Sequence, residues 1–209
     1  MADYEALKKR VEELAEKEWD MPAIEARIKK LSKEGIPKKK LEPKEILANR
    51  EQILDRVQLR AEENNRILMN CAQSTALALM EEFGLGNIDI IKALAPFPGI
   101  GGTGEMCGGI TGSLINFGLY FSNEDLLDSE GMDKLMVNAQ KFMASFEDVV
   151  GHWHCADIIE KVVLGHRLNP GESPAAMATF AREKGFEKCC LMPGIGSRLA
   201  AGFIIDSMK

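Results

Sequence analysis

Five cysteines and one glycine-rich run carry the chemistry that this 209-residue sequence offers. Cys71, Cys107 and Cys155 stand singly, and Cys189 and Cys190 are adjacent. A thiolate is both a nucleophile and a soft metal ligand, so thiols gathered by a fold can hold iron, hold a cluster or exchange disulfides. None of the five is spaced C-x-x-C, which leaves a zinc finger, a zinc ribbon and a thioredoxin-like pair without support. The run "GIGGTGEMCGGITG", residues 99–112, is half glycine and contains Cys107. Gly99, Gly101 and Gly104 spell G-x-G-x-x-G, and Glu124 and Asp125 follow at about twenty residues, the spacing of a dinucleotide-binding unit. That motif belongs between a strand and a helix, whereas "IIKALAPFP" before it has two prolines and no strand pattern. No Gly-Lys-Ser/Thr closes the run, as a phosphate loop requires. Glycine instead permits positive φ and a close approach of bare backbone. Gly101, Gly102, Gly104 and Gly108 are therefore the candidates to bring backbone N–H groups round a group bound at Cys107.

Every cysteine falls near one end of an expected helix: Cys71 in "NCAQ", Cys107 before an apolar run, Cys155 after "GHWH", and Cys189 and Cys190 before the last helix. A helix N-terminus favours the thiolate through its dipole and free N–H groups. Three helix starts carrying thiols predict one shared site. His154 beside Cys155 is a candidate ligand, cluster neighbour or proton-coupling group, set against a helix-start residue bonded to backbone. Glu105 is a candidate acid of the site. No residue is assigned a catalytic role.

The elements that must position these groups read as helices. Tyr4, Leu7, Val11 and Leu14 recur at helical spacing over residues 3–18. Pro22 opens a second helix with Ile24, Ile28 and Leu31 on its apolar side, ended by Gly35. "IPKKKLEPKE" is an exposed connector. From Pro43 to Gly84 the positions Ile46, Ile53, Val57, Leu68, Cys71, Thr75 and Leu79 follow one helical face, a helix of about forty residues if unbroken, with "EENN" at 62–65 as the expected break. Further helices are expected over 87–95, 110–121, 130–149, 153–164, 174–184 (from the Ser173 cap and Pro174 to Gly185) and 195–207. The eleven methionines read as packing. No run alternates as strands do. The fold class is all-α: a helical bundle core over 61–209, carrying the cysteines at helix ends, with an N-terminal helical extension over 1–60.

The formal net charge of −6 argues against nucleic acid as a partner, which would require a basic face. No segment reaches the ~18 consecutive apolar residues of a membrane span, and the charged N-terminus lacks a signal peptide's apolar centre. A cytoplasmic location follows, where thiols stay reduced. The long apolar face from Ile46 to Leu79 predicts a homodimer, since a chain of this length would struggle to cover it.

"NCAQ" at Cys71, "GGTGEMCGGITG" at Cys107 and the single downstream cysteines resemble the redox-active family named for its four spaced cysteines and a C-G-A-x-x-G motif. The resemblance covers roughly 64–209, with Gly109 standing where the motif has alanine. It implies a redox role in anaerobic bacteria and archaea. A similar domain occurs in split-Soret cytochromes, where it accompanies an iron–sulfur cluster. Those proteins attach haem through C-x-x-C-H, which is absent here, so covalent haem is not expected. The resemblance implies a cluster, [2Fe–2S] in type, held by Cys71, Cys107, Cys155 and one of Cys189 and Cys190, with a redox protein as partner. The alternatives are a thiol–disulfide protein, for which the Cys189–Cys190 pair is suited, and an interaction protein whose cysteines are core.

Overall fold

The computed structural model describes residues 2–123, 125, 127 and 129–209. Helices build it, and among the described residues no strand forms; one isolated bridge pairs Met106 with His154. The all-α expectation holds.

Local chemistry sets most helix starts. Asp3 caps α1 (Tyr4–Glu16) by accepting the Ala6 N–H, and Asp20 caps α2 (Met21–Glu34) by accepting that of Ala23. α3 (Pro43–Ala48) is separated from α4 (Arg50–Leu68) by a kink at Asn49. The break in the expected forty-residue helix comes at Met69–Asn70, not at 62–65. Met69 turns left-handed at φ 47, and the Asn70 side chain accepts the Gln73 N–H to start α5 (Cys71–Phe83). Asn64 and Asn65 stay inside α4, both buried, Asn64 reaching the Ser74 carbonyl and Asn65 the Ser74 hydroxyl. The polar run thus serves the contact between α4 and α5 instead of ending the helix.

α6 (Ile88–Ala93) leads to the kinked turn α7 (Gly99–Gly102), then α8 (Gly108–Phe121) and α9 (Ser129–Val150). α10 (Cys155–Ile158) runs on as a π-helical turn, Ile159–Val163; α11 (Pro174–Arg182), α12 (Gly185–Lys188) and α13 (Leu191–Asp206) complete the chain. Gly185 begins α12 instead of ending α11. Lys184 takes the left-handed position at φ 57, and a Cβ on Gly185 would lie 2.5 Å from the Phe180 ring.

The centre is formed by α4, α5, α8 and α13, each against its neighbours, with α9 across α8 and α13. Phe117, Phe142, Phe146 and Phe203 interlock there edge to face or tilted. The helical half of the glycine run is a packing device. A Cβ on Gly112 would lie 2.4 Å from the Ala72 carbonyl of α5, and one on Gly196 of α13 would lie 2.4 Å from the Gly109 carbonyl. Ser113 closes the second contact by donating to the Gly196 carbonyl at 3.1 Å.

The Ile46–Leu79 face is covered within the chain. Ile53, Leu54, Val57 and Leu79 join one buried cluster with Ala200, Ile204 and Ile205 of α13. The reason given for a homodimer therefore falls away, because the break at Met69 folds the two halves of the face onto each other and onto α13. Leu7, Val11 and Leu14 of α1 enter the same cluster, and Arg10 meets the buried Glu62 of α4 at 3.2 Å. The division drawn at residue 60 lies inside α4. Gly185–Asp206 has the length and, at 1.3, the mean hydropathy of a membrane-crossing helix; 67% of its most apolar window is buried inside this fold. Not all methionines pack: Met69, Met132, Met136 and Met177 are exposed.

Candidate functional site

Two loops bring the cysteines together. Gly99, Gly101, Gly102 and Gly104 all take positive φ, which folds residues 99–104 tightly enough that the Glu105 N–H reaches the Gly99 carbonyl at 3.1 Å. The chain then pairs with the segment before α10: Cys107 N–H donates to the Trp153 carbonyl at 2.8 Å, Cys155 N–H to the Glu105 carbonyl at 2.6 Å, and Ala156 N–H to the Gly104 carbonyl at 2.9 Å. Cys107 and Cys155 are thus fixed side by side at the starts of α8 and α10. Cys71 comes to them because α8 lies against α5 at glycine distance.

The result is a cavity of about 150 Å³ lined by Cys71, Cys155 and Cys189, with Cys107 sealed behind Cys71 at 2% exposure. Gly99, Gly102 and Gly104 form one wall, and Asn169, Pro170 and Gly171 another. The two walls touch backbone to backbone, since a Cβ on Gly171 would lie 2.1 Å from the Gly102 carbonyl oxygen. Ile159, Phe180 and Phe186 supply apolar surface, and among the described residues no charged side chain lines the space. All five cysteines are free thiols.

Cys189 and Cys190 part company here. Cys189 lines the cavity, whereas Cys190 is fully buried in the main core, where its sulfur accepts from Asn65 Nδ2 at 3.6 Å and its S–H donates to the Phe186 carbonyl at 3.3 Å. One residue along a helical turn rotates the side chain by about 100°, so one sulfur faces the cavity and the other the core.

The glycines serve a different sulfur from the one expected. Cys71 accepts a hydrogen bond from the Cys107 thiol, and its sulfur also meets the backbone N–H groups of Gly108, Cys71 and Ala72. The Cys107 thiol and these N–H groups together outweigh burial and hold Cys71 below the ordinary thiol value. Cys107 is pushed well up by the hydrogen bond it gives to Cys71, by burial and by the Cys71 charge. Burial, then the Cys71 charge, pushes Cys155 up to about 12, and burial raises Cys189 as well. Burial also pushes Cys190 up to about 12 despite the Asn65 hydrogen bond. A helix start favours the thiolate at Cys71 alone, because there a 13-residue helix and Gly108 both direct N–H groups at sulfur. Cys107 also starts a long helix, the 14-residue α8, yet the hydrogen bond that it gives to Cys71, and then burial, raise it, while Cys189 stands at the C-terminal end of α12.

Other expected site residues lie elsewhere. Gly102 and Gly104 line the cavity, but Gly101 is exposed with nothing within 4 Å of a Cβ. His154 and Glu105 are exposed and face each other at 3.4 Å, outside the cavity lining. His152 meets the Tyr4 hydroxyl at 3.0 Å and His166 meets Glu183 at 2.7 Å. Glu124 lies outside the described residues. Sequence reading missed Asn65, Ile159, Phe180 and Phe186. "NPG" at 169–171 was legible only as a turn, and the others carry no signal apart from apolar or polar helix positions.

Among the described residues, no three of His, Cys, Asp and Glu stand close enough to hold a single metal ion. A cluster spreads its thiolates over several irons, so its test is a donor set round a space. Cys71, Cys155 and Cys189 line such a space and Cys107 adjoins it, without a competing carboxylate among the described residues. The donor set fits.

Neither the curated proteins nor the solved structures contain a significant match to this chain. Residues 69–191, more than half of the chain, match one family, described as "Putative redox-active protein (C_GCAxxG_C_C)". The matched region opens at the Met69 turn and closes just after the Cys189–Cys190 pair, so it encloses every thiol of the cavity together with the Cys107–Gly112 motif. The chain belongs to the C_GCAxxG_C_C family.

Proposed function

We propose that this protein is an electron carrier or redox subunit that holds an iron–sulfur cluster, [2Fe–2S] in type, through Cys71, Cys107, Cys155 and Cys189. The observation that supports this reading is the convergence of Cys71, Cys155 and Cys189, from three separate helix ends, on one cavity, with Cys107 of a fourth helix start against Cys71. A bound cluster supplies one-electron transfer at a potential set by its ligands and surroundings. The chain supplies the rest. Cys71 is the first ligand to ionise, because four sets of donors already neutralise its sulfur. The other three thiols give up protons only when a cation replaces them, so assembly releases protons. Ile159, Phe180 and Phe186 limit water, and the Gly108 and Ala72 N–H groups at the Cys71 sulfur would raise the potential of a cluster held there.

The test is iron and acid-labile sulfide content, with the visible spectrum, after anaerobic purification. Wild-type protein is expected to hold both. Cys155→Ser and Cys107→Ser are expected to lose them, serine oxygen being a poor match for iron in a sulfur site. Wild-type protein that takes up neither iron nor sulfide, even after reconstitution, would sink the proposal.

A further inference from the structure

The cavity has walls of two kinds. Its thiols and its glycine wall belong to the helical body, whereas Asn169, Pro170, Gly171, Met177 and Phe180 come from one stretch of chain, residues 165–184, which carries none of the five cysteines. That stretch begins and ends in the left-handed region: Gly165 at φ 80, with nothing within 4 Å of a Cβ, and Lys184 at φ 57. His166 and Glu183, next to the two turns, meet at 2.7 Å and clasp its ends together. Among the described residues, no hydrogen bond or ion pair joins residues 166–183 to the chain before Gly165 or after Lys184. Contact alone holds the stretch down. At its far edge the Gly171 backbone rests on Gly102 of the glycine wall. Beside the second turn the Phe180 ring sits over Gly185 and edge to face with Phe186, ring centres 5.1 Å apart. Among the described residues from Leu164 to Lys184, Phe180 is the one buried side chain, and it joins neither hydrophobic cluster of the helical body. A segment with so little buried and no hydrogen bond to its surroundings opens at small cost, and left-handed turns at its two ends are places where the backbone absorbs a rotation.

We infer that residues 165–184 are a lid on the thiol cavity, pivoting at Gly165 and Lys184, seated by Gly171 on Gly102 and latched by Phe180, and that its opening sets how fast a small molecule reaches Cys155 and Cys189. Both of those thiols line the cavity and are half-buried under the lid, whereas Cys190 lies in the core beyond its reach. The same opening sets how fast a cluster is loaded and lost; this last consequence rests on the cluster reading, and the lid itself does not.

The experiment labels the full-length chain, after iron chelation under anaerobic conditions, with N-ethylmaleimide, and peptide mapping by mass gives a rate for each cysteine. Gly171 is exposed and outside the left-handed region, so Gly171→Ala leaves its own backbone unstrained and sets a methyl group against the Gly102 carbonyl, propping the far edge. Phe180→Ala removes the latch. Each is expected to speed the labelling of Cys155 and Cys189 at least about tenfold and to leave Cys190 within about twofold of the wild-type rate, since Cys190 reports unfolding of the whole chain and the other two report local opening. In Gly171→Ala, an unchanged rate at Cys155 or Cys189, or a rise shared by Cys190, overturns the lid, whether or not Phe180→Ala folds. A folded Phe180→Ala that labels like wild type overturns the latch. A parallel set reconstituted with iron and sulfide gives the rate at which EDTA removes the iron, expected to rise with the labelling rate in Gly171→Ala. If no sample takes up iron while Cys155 and Cys189 respond as expected, the cluster reading fails and the lid stands. If iron is bound but Gly171→Ala labels like wild type, the lid fails and the cluster stands.

Discussion

Gly108 lies against the sulfur of Cys71: a Cβ on residue 108 would be 2.3 Å from Cys71 Sγ and 2.6 Å from the Ala72 nitrogen. The first glycine of the Cys107–Gly112 motif thus exists for a residue thirty-seven positions earlier, and its own N–H helps to hold that sulfur.

Gly108→Ala is therefore expected to displace the Cys71 sulfur and to destabilise the protein by about 1–3 kcal/mol, the usual cost of overpacking. Gly118 on the same helix is the control, since nothing lies within 4 Å of a Cβ there. Gly118→Ala is expected to stabilise by about 0.5–1 kcal/mol, the helix preference of alanine over glycine. Urea unfolding measures both; effects of the same sign and size would separate Gly108 from Cys71.

Stability of the iron-free protein is expected to fall as pH rises above about 9. An unfolded thiol ionises near 9.0, whereas folded Cys155 and Cys190 keep their protons to about 12. Between those values the unfolded state binds fewer protons than the native state, so unfolding is favoured, by up to about 1.4 kcal/mol per pH unit for each fully buried thiol. Cys71, whose value is lowered, acts in the opposite sense and below that window. Thermal midpoints measured from pH 7 to 11 should decline through the upper part of the range; a flat profile would contradict the burial of these thiols.

Cys189 and Cys190 should behave differently despite being neighbours. Cys190→Ser places a hydroxyl in the core beside Asn65 and Phe186 and is expected to cost about 1–3 kcal/mol while leaving the cavity thiols intact. Cys189→Ser removes a cavity thiol and is expected to lose any bound iron with a smaller effect on folding, since Cys189 is half-buried. Iron analysis beside urea unfolding of the two variants checks the assignment, and the reverse pattern would exchange their roles.

Met69 holds the turn between α4 and α5 at φ 47 with its side chain exposed. Met69→Gly relieves a left-handed residue whose side chain is mostly exposed and is expected to raise stability by about 1 kcal/mol. A loss instead, seen as a lower midpoint in thermal unfolding, would show that the methionine side chain contributes at the cavity edge.

The sequence by itself determined what depends on neighbours along the chain. Asp3, Asp20, Asn70 and Ser173 start helices because each side chain accepts the N–H three residues on, and the apolar spacing of Leu7, Val11 and Leu14 names the face that is buried. The all-α class and the family membership were legible on those terms. Contacts between distant segments decided the rest. The break at Met69 instead of at "EENN" follows from Asn64 and Asn65 finding Ser74 across the bend. Gly102 and Gly104 line the cavity while Gly101 faces solvent, although all three share one motif and one sign of φ. Cys189 rather than Cys190 meets the other thiols because the rotation of a helical turn, fixed by how α12 and α13 sit on α4, points only one of two adjacent sulfurs inward. The lowered thiol is Cys71 and not Cys107 because hydrogen bonds to sulfur require donors from two helices at once, and only packing α8 against α5 supplies them.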